Sequence, residues 1–201
     1  MNIVIIDTGC ANLASVQYAV ERLGYPAIIS ADPQIFSQAD RVLVPGVGTA
    51  EAAMDKLAQR SLIEPIKSLT QPVLGICLGM QLMAALSDEG SEPIPLLNIM
   101  DDEVKKIESG NLPMPHMGWN TVHITKSSPL FKGIVDPFYA YFVHSYCLPI
   151  SDKTLGETAY GQTFSSIVQK NNFYGMQFHP ERSSTIGAQL LRNFIEEDLT
   201  C

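Results

Sequence analysis

The chain has little of what would mark it for a membrane, a nucleic acid, a metal or an oxidising compartment. Its four cysteines, Cys10, Cys77, Cys147 and Cys201, lie far apart with no Cys-x-x-Cys pair, which suggests neither a disulfide framework nor a zinc site. No apolar run approaches the roughly 20 residues of a membrane span. The start, Met-Asn-Ile-Val-Ile-Ile-Asp, lacks the basic and long apolar regions of a signal peptide. No group of lysines or arginines is denser than Lys105-Lys106, and the net charge is −8, which argues against nucleic acid or an anionic membrane as partner. His116, His123 and His144 show no metal-ligand spacing. Repeats, low-complexity stretches and linkers are also missing. The expectation is a cytoplasmic protein with one domain over residues 1–201, no metal and no cofactor.

What is present is ordinary globular composition, 46% hydrophobic and 17% charged over 201 residues. Ile3 to Ile6 is a continuous apolar run ending at Asp7, the pattern of a strand buried on both faces. A helix fits from about Ala11 to Leu23, with Gly24 as its stop. Strands follow at Ala27 to Ile29, Arg41 to Val44 and Val73 to Ile76, with a helix from about Ala50 to Gln59 between the last two. This alternation predicts an α/β fold with a parallel sheet flanked by helices, which binds ligands at the carboxyl ends of its strands. After Gly90, Glu103 to Ile107, Trp119 to Thr125, Tyr139 to Leu148, Thr154 to Ala159 and Phe164 to Gln169 read as strands of an antiparallel or mixed extension of that sheet. Asn171-Asn172 suits a hairpin turn into Phe173 to Phe178, and a last helix fits Ser184 to Asp198, with Ser183 or Ser184 as cap.

One stretch stands out chemically. Gly75-Ile76-Cys77-Leu78-Gly79 ends an apolar run and precedes a helix-compatible segment, Met80 to Leu86. That is the spacing of a nucleophile elbow, where a strand turns sharply into a helix and lifts one side chain out of the sheet. A thiol there also sits at a helix N-terminus, which favours thiolate. A buried core cysteine is the plainer reading of the same stretch. Phe178-His179-Pro180-Glu181 weighs against it. Residues i and i+2 of an extended chain share a face, so Glu181 can fix the tautomer of His179 and leave its other nitrogen for a thiol proton. Nucleophile, base and orienting group are then complete. The loop Pro45-Gly46-Val47-Gly48 is no dinucleotide fingerprint, because Glu51 stands where the third glycine belongs. It can instead aim backbone N–H groups at an oxyanion, or be a plain strand-to-helix turn.

These motifs resemble the class I, triad-type glutamine amidotransferases. Within that class, Pro45–Gly48, His116-Met117-Gly118-Trp119-Asn120, Tyr141–Tyr146 and Arg182-Ser183-Ser184 are similar to the glutaminase subunits of imidazole glycerol phosphate synthases. The resemblance runs over essentially the whole chain, from Asp7-Thr8-Gly9-Cys10-Ala11-Asn12 onward. It implies a flavodoxin-like fold and a thioester formed on Cys77, with His179 and Glu181 completing the triad. It implies an oxyanion hole from Val47 and Leu78 N–H, and glutamine held by Gly48, Gln81, Glu89, His144, Ser145 and Tyr146. It also implies a heterodimer with a (β/α)8 cyclase that receives ammonia through an internal passage, with Asn12, Trp119, Tyr141 and Arg182 towards that partner. Arg182 departs from the pattern, which more often has lysine; the charge is kept but the geometry is forked.

Other readings stand beside this one. A related amidotransferase could serve a synthase making anthranilate, pyridoxal phosphate or a purine intermediate; the Met117–Asn120 and Pro45–Gly48 segments argue against it. A non-catalytic scaffold would have no need of Cys77, His179 and Glu181 together. Trp119, the single tryptophan, reads from its neighbours alone as a core plug or an interface anchor, the plug being favoured.

Overall fold

The computed structural model of the chain describes residues 1–9 and 11–199; Cys10, Thr200 and Cys201 lie outside the described residues. The first half alternates as its apolar pattern requires: β1 (Ile3–Ile6), α1 (Leu13–Arg22), β2 (Ala27–Ser30), α2 (Pro33–Phe36), β3 (Arg41–Gly46), α3 (Ala50–Gln59), α4 (Ile63–Lys67), β4 (Val73–Cys77) and α5 (Leu78–Gln81). Three short strands follow, β5 (Leu86–Ser87), β6 (Ile94–Pro95) and β7 (Glu103–Lys106). The second half holds β8 (His116–Ile124), β9 (Phe138–His144), β10 (Tyr146–Cys147), β11 (Thr154–Tyr160), β12 (Gln162–Lys170), β13 (Phe173–Met176) and α6 (Ser184–Glu196).

The main sheet has nine strands in the order β2-β1-β3-β4-β13-β12-β11-β8-β9. Pairing is parallel from β2 to β13 and antiparallel from β13 to β9. This is the expected parallel sheet with an antiparallel extension. β1 shows why its sequence is apolar throughout. Ile3 and Ile5 pack into one core with Val16, Val20 and Leu190, while Val4 and Ile6 pack into the other with Ala53 and Leu57. The N-terminus of α1 is capped by the Asn12 side chain on Ser15 N–H, and that of α3 by Thr49 on Ala52 N–H. Asn171, at φ +52°, makes the two-residue turn between β12 and β13. Among the described residues, no helix is long and apolar enough to cross a membrane.

Four expectations need correction. The helix after Cys77 does not run to Leu86; it stops at Gln81. The carbonyls of Leu82, Met83, Ala84 and Ala85, which a longer helix would use, accept backbone N–H groups from residues 96–100 instead. Glu103 to Ile107 does not extend the main sheet, because β7 lies in a second sheet ordered β10-β7-β5-β6. The strand expected over Tyr139 to Leu148 breaks at Ser145, whose carbonyl accepts Ile107 N–H while β10 pairs with β7. Ser183 makes no side-chain cap on α6, since its hydroxyl is spent elsewhere, as described below.

Candidate active site

β4 ends in Cys77 at φ +55°, ψ −113°, a conformation an L-residue adopts at a cost of about 1–3 kcal/mol. The elbow explains the glycines on either side. A Cβ on Gly79 would lie 1.7 Å from the Val44 carbonyl oxygen, and one on Gly75 would lie 2.5 Å from the Gly79 carbonyl oxygen. Strand and helix can approach this closely only without side chains there. α5 has four residues, so its dipole gives a thiolate little help. The electrostatic partner is His179.

His179 follows β13 and is tied by its N–H to the Tyr141 carbonyl of β9. Its Nδ1 lies 2.8 Å from Glu181 Oε1, and both side chains are buried. The two meet across a 3-10 turn at Pro180–Arg182, not along an extended strand as the i, i+2 spacing suggested. Ser183 secures this turn by donating its hydroxyl to the His179 carbonyl at 2.7 Å and accepting Tyr141 N–H at 2.9 Å. Burial alone would push the His179 imidazole down. The Cys77 sulfur and the Glu181 carboxylate outweigh that and raise it, so the imidazolium is the favoured partner of a thiolate. Nε2 of His179 is buried and makes no hydrogen bond with another described residue, leaving it open for the thiol proton. Besides His179, Cys77 Sγ makes two long contacts, 3.8 Å to the Val143 carbonyl and 3.9 Å from Gln177 Nε2.

A cavity of about 420 Å³ opens over Cys77. Every residue expected in the oxyanion hole or around the substrate lines it: Val47, Gly48, Leu78, Gln81, Glu89, His144, Ser145 and Tyr146, together with Cys77 and His179. Glu181 is not in the lining and reaches the site through His179. Gln81 Nε2 donates to the Tyr146 carbonyl at 2.8 Å and to Gln177 Oε1 at 2.9 Å. Glu89 Oε2 accepts Ala50 N–H at 2.6 Å, at the N-terminus of α3, so this carboxylate joins the substrate cavity to the end of the Val47–Gly48 loop. Among the described residues no group of acidic, histidine or cysteine side chains could hold a metal.

The remaining expected residues lie elsewhere. Trp119 is 54% exposed, so it is no core plug. It stands edge-on to Tyr141 at 6.1 Å, and the Arg182 guanidinium lies 4.9 Å over the Tyr141 ring, a stacking that its forked plane suits. Asn12 has a visible local duty, the cap of α1. The sequence reading missed Pro115 and Val143 at the cavity, and the buried Gln177 and Ser183 behind it. Gln177 adjoins the Phe178–Glu181 stretch, while Val143 and Ser183 lie inside the Tyr141–Tyr146 and Arg182–Ser184 segments without a role of their own there; Pro115 carried no signal.

The family model for "Glutamine amidotransferase class-I" matches residues 4–197. The imidazole glycerol phosphate synthase subunit HisH of Yersinia pestis is 57% identical, over 98% of this chain and 100% of its own length. The HisH subunit of Vibrio cholerae serotype O1 is 53% identical, over 97% of this chain and 98% of its own. Among solved structures, a glutamine amidotransferase from Thermotoga maritima superposes with a TM-score of 0.66 at 15% identity, covering 98% of this chain and 83% of that one, a likeness of fold.

Proposed function

The chain belongs to the class-I glutamine amidotransferases, and we propose that residues 1–201 act as one such domain, the glutaminase subunit of an imidazole glycerol phosphate synthase in histidine biosynthesis. Near-full-length identity to HisH subunits supports this assignment. The observation that carries the chemistry is the strained Cys77 in one cavity with a base, His179, which is itself held by a buried carboxylate.

In the proposed mechanism the Cys77 thiolate attacks the side-chain amide carbon of L-glutamine. The carbonyl oxygen becomes an oxyanion facing Val47 N–H and Leu78 N–H, each such donor stabilising the transition state by about 3–4 kcal/mol. As the C–N bond breaks, His179 gives its proton to the leaving nitrogen, and ammonia departs from a glutamyl thioester. His179 then takes a proton from water, which attacks the thioester and releases glutamate and the thiol. Glu181 keeps His179 in one tautomer throughout. Gly48, Gln81, Glu89 and His144–Tyr146 hold the α-amino and α-carboxylate groups.

The ammonia passes to a (β/α)8 cyclase subunit in a heterodimer. There it cleaves and cyclises a ribulosyl-formimino intermediate to imidazole glycerol phosphate and aminoimidazole carboxamide ribonucleotide. The exposed Met117, Trp119 and Tyr139 beside the Tyr141–Arg182 pair support a docking face on β8 and β9. Nucleic acid and membrane have no part in this reading. The test is transfer of label from amide-¹⁵N glutamine. With the cyclase present, label enters imidazole glycerol phosphate; glutamate formation without any such transfer contradicts the assignment.

A further inference from the structure

His116 does not line the cavity and has no part in the chemistry above. It is nevertheless 2% exposed, stacked between Phe142 at 4.8 Å and Tyr160 at 4.0 Å. Its Nδ1 lies 2.9 Å from His144 Nε2, and its Nε2 lies 3.2 Å from Asn120 Nδ2. His144 Nδ1 in turn lies 2.8 Å from the Tyr146 carbonyl oxygen.

Only one order of protons satisfies this chain. A carbonyl can only accept, so His144 carries its proton on Nδ1. At the far end the Asn120 amide is pinned, because Oδ1 accepts Thr121 N–H at 2.8 Å and Nδ2 donates to the Ala159 carbonyl at 3.0 Å. The second hydrogen of Nδ2 therefore points at His116 Nε2, which must be bare. The His116 proton is then on Nδ1 and faces the bare Nε2 of His144. Two ends fixed independently demand the same arrangement, with both rings neutral. Burial favours it, pushing His116 down to about 4 and His144, with further lowering from the nearby His116 and His179, to about 3. The Tyr146 carbonyl at the end of the chain also accepts from Gln81, four residues after Cys77.

We propose that His116 is a positioning residue for glutamine cleavage: its Nδ1–H holds His144 in the Nδ1-protonated tautomer and so fixes the His144–Tyr146 wall of the glutamine cavity. The proposal rests on the glutaminase reading of that cavity. Because the strut acts on a wall that binds substrate, its loss falls on KM rather than on kcat.

The test uses the complex with the cyclase subunit. His116→Phe keeps a ring between Phe142 and Tyr160 but has no donor, whereas His116→Asn restores an N–H near the Nδ1 position. In His116→Phe the KM for glutamine rises about tenfold, the scale of one lost buried hydrogen bond, with kcat within about twofold of wild type. His116→Asn recovers most of that loss. Ammonia-dependent synthesis is unchanged in both variants, and co-elution with the cyclase in size-exclusion chromatography reports assembly. ¹⁵N-resolved imidazole NMR of the wild-type complex finds His144 protonated on Nδ1. An unchanged KM in assembled His116→Phe, a loss confined to kcat, equal losses in both variants, or a proton on His144 Nε2 overturns the proposal. Should His116→Phe fail to assemble, the same spectra decide: a His116 proton on Nδ1 supports the strut, and one on Nε2 overturns it. Absence of glutaminase activity from the wild-type complex would instead overturn the functional reading, an outcome the NMR measurement separates from failure of the strut.

Discussion

The hydroxyl of Ser183 donates to the carbonyl of His179 at 2.7 Å, and the same oxygen accepts the N–H of Tyr141 at 2.9 Å. One buried side chain thus fastens the base to β9, the strand that carries the exposed Tyr139 and the stacked Tyr141. Ser183→Ala leaves the Tyr141 N–H without its acceptor and the His179 turn without its tie. We expect unfolding free energy to fall by about 1–3 kcal/mol in urea titrations, and glutamine turnover in the complex to fall several-fold. Unchanged values of both would show the turn to be held by other contacts.

Glu181 reaches the cavity only through His179, and its charge helps to raise that imidazole. Glu181→Gln retains an acceptor for Nδ1–H but removes the charge. The imidazolium then loses its partner, and kcat/KM for glutamine falls by about a hundredfold or more while ammonia-dependent synthesis persists. The ¹⁵N-resolved titration of the His179 imidazole checks the cause, since it should lose its proton at lower pH in the variant.

The elbow permits no side chain at position 79. A methyl on Gly79 would lie 1.7 Å from the Val44 carbonyl oxygen, and neither β3 nor β4 can yield without breaking the parallel ladder between them. Gly79→Ala should give aggregated or unfolded protein, read by circular dichroism and thermal melting. A melting temperature within a few degrees of wild type would mean that strand and helix separate more easily than this packing suggests.

Both buried histidines of the strut are pushed below the ordinary 6.5, His116 to about 4 and His144 to about 3. Between those values and 6.5 the unfolded chain binds more protons than the folded one, so stability is full above 6.5 and is lost as pH falls. The slope approaches about 1.4 kcal/mol per pH unit for each histidine. His179, raised instead, works in the opposite sense: its contribution is full below 6.5 and lost as pH rises towards its folded value. Urea midpoints measured from pH 7 to pH 5 should therefore decline, and His116→Asn should flatten part of that decline.

The sequence was most readable where local pattern and tertiary role coincide. Ile3–Ile6 is apolar at every position because both faces of β1 are covered, and that shows in the residues alone. The Gly75–Gly79 spacing declared the elbow because its sterics are local to a few residues. Distance in sequence hid the rest. The early stop of α5 depends on N–H groups of residues 96–100, and the separation of β7 from the main sheet depends on Tyr146 and Cys147. Trp119 could not be placed because exposure is decided by what packs above a strand, not by the strand. In the sequence His116 showed only the lack of a metal-ligand spacing; the distances to Asn120 and His144 reveal a fixed order of protons.

The central claim is that Cys77 is the glutaminase nucleophile, and Cys77→Ser in the assembled complex tests it most directly. Serine fits the same elbow but gives no thiolate, so glutamine-dependent synthesis should disappear while synthesis from added ammonia continues at the wild-type rate. Glutamine-dependent synthesis that persists near the wild-type rate would contradict the account, and so would loss of both activities from a complex that still assembles.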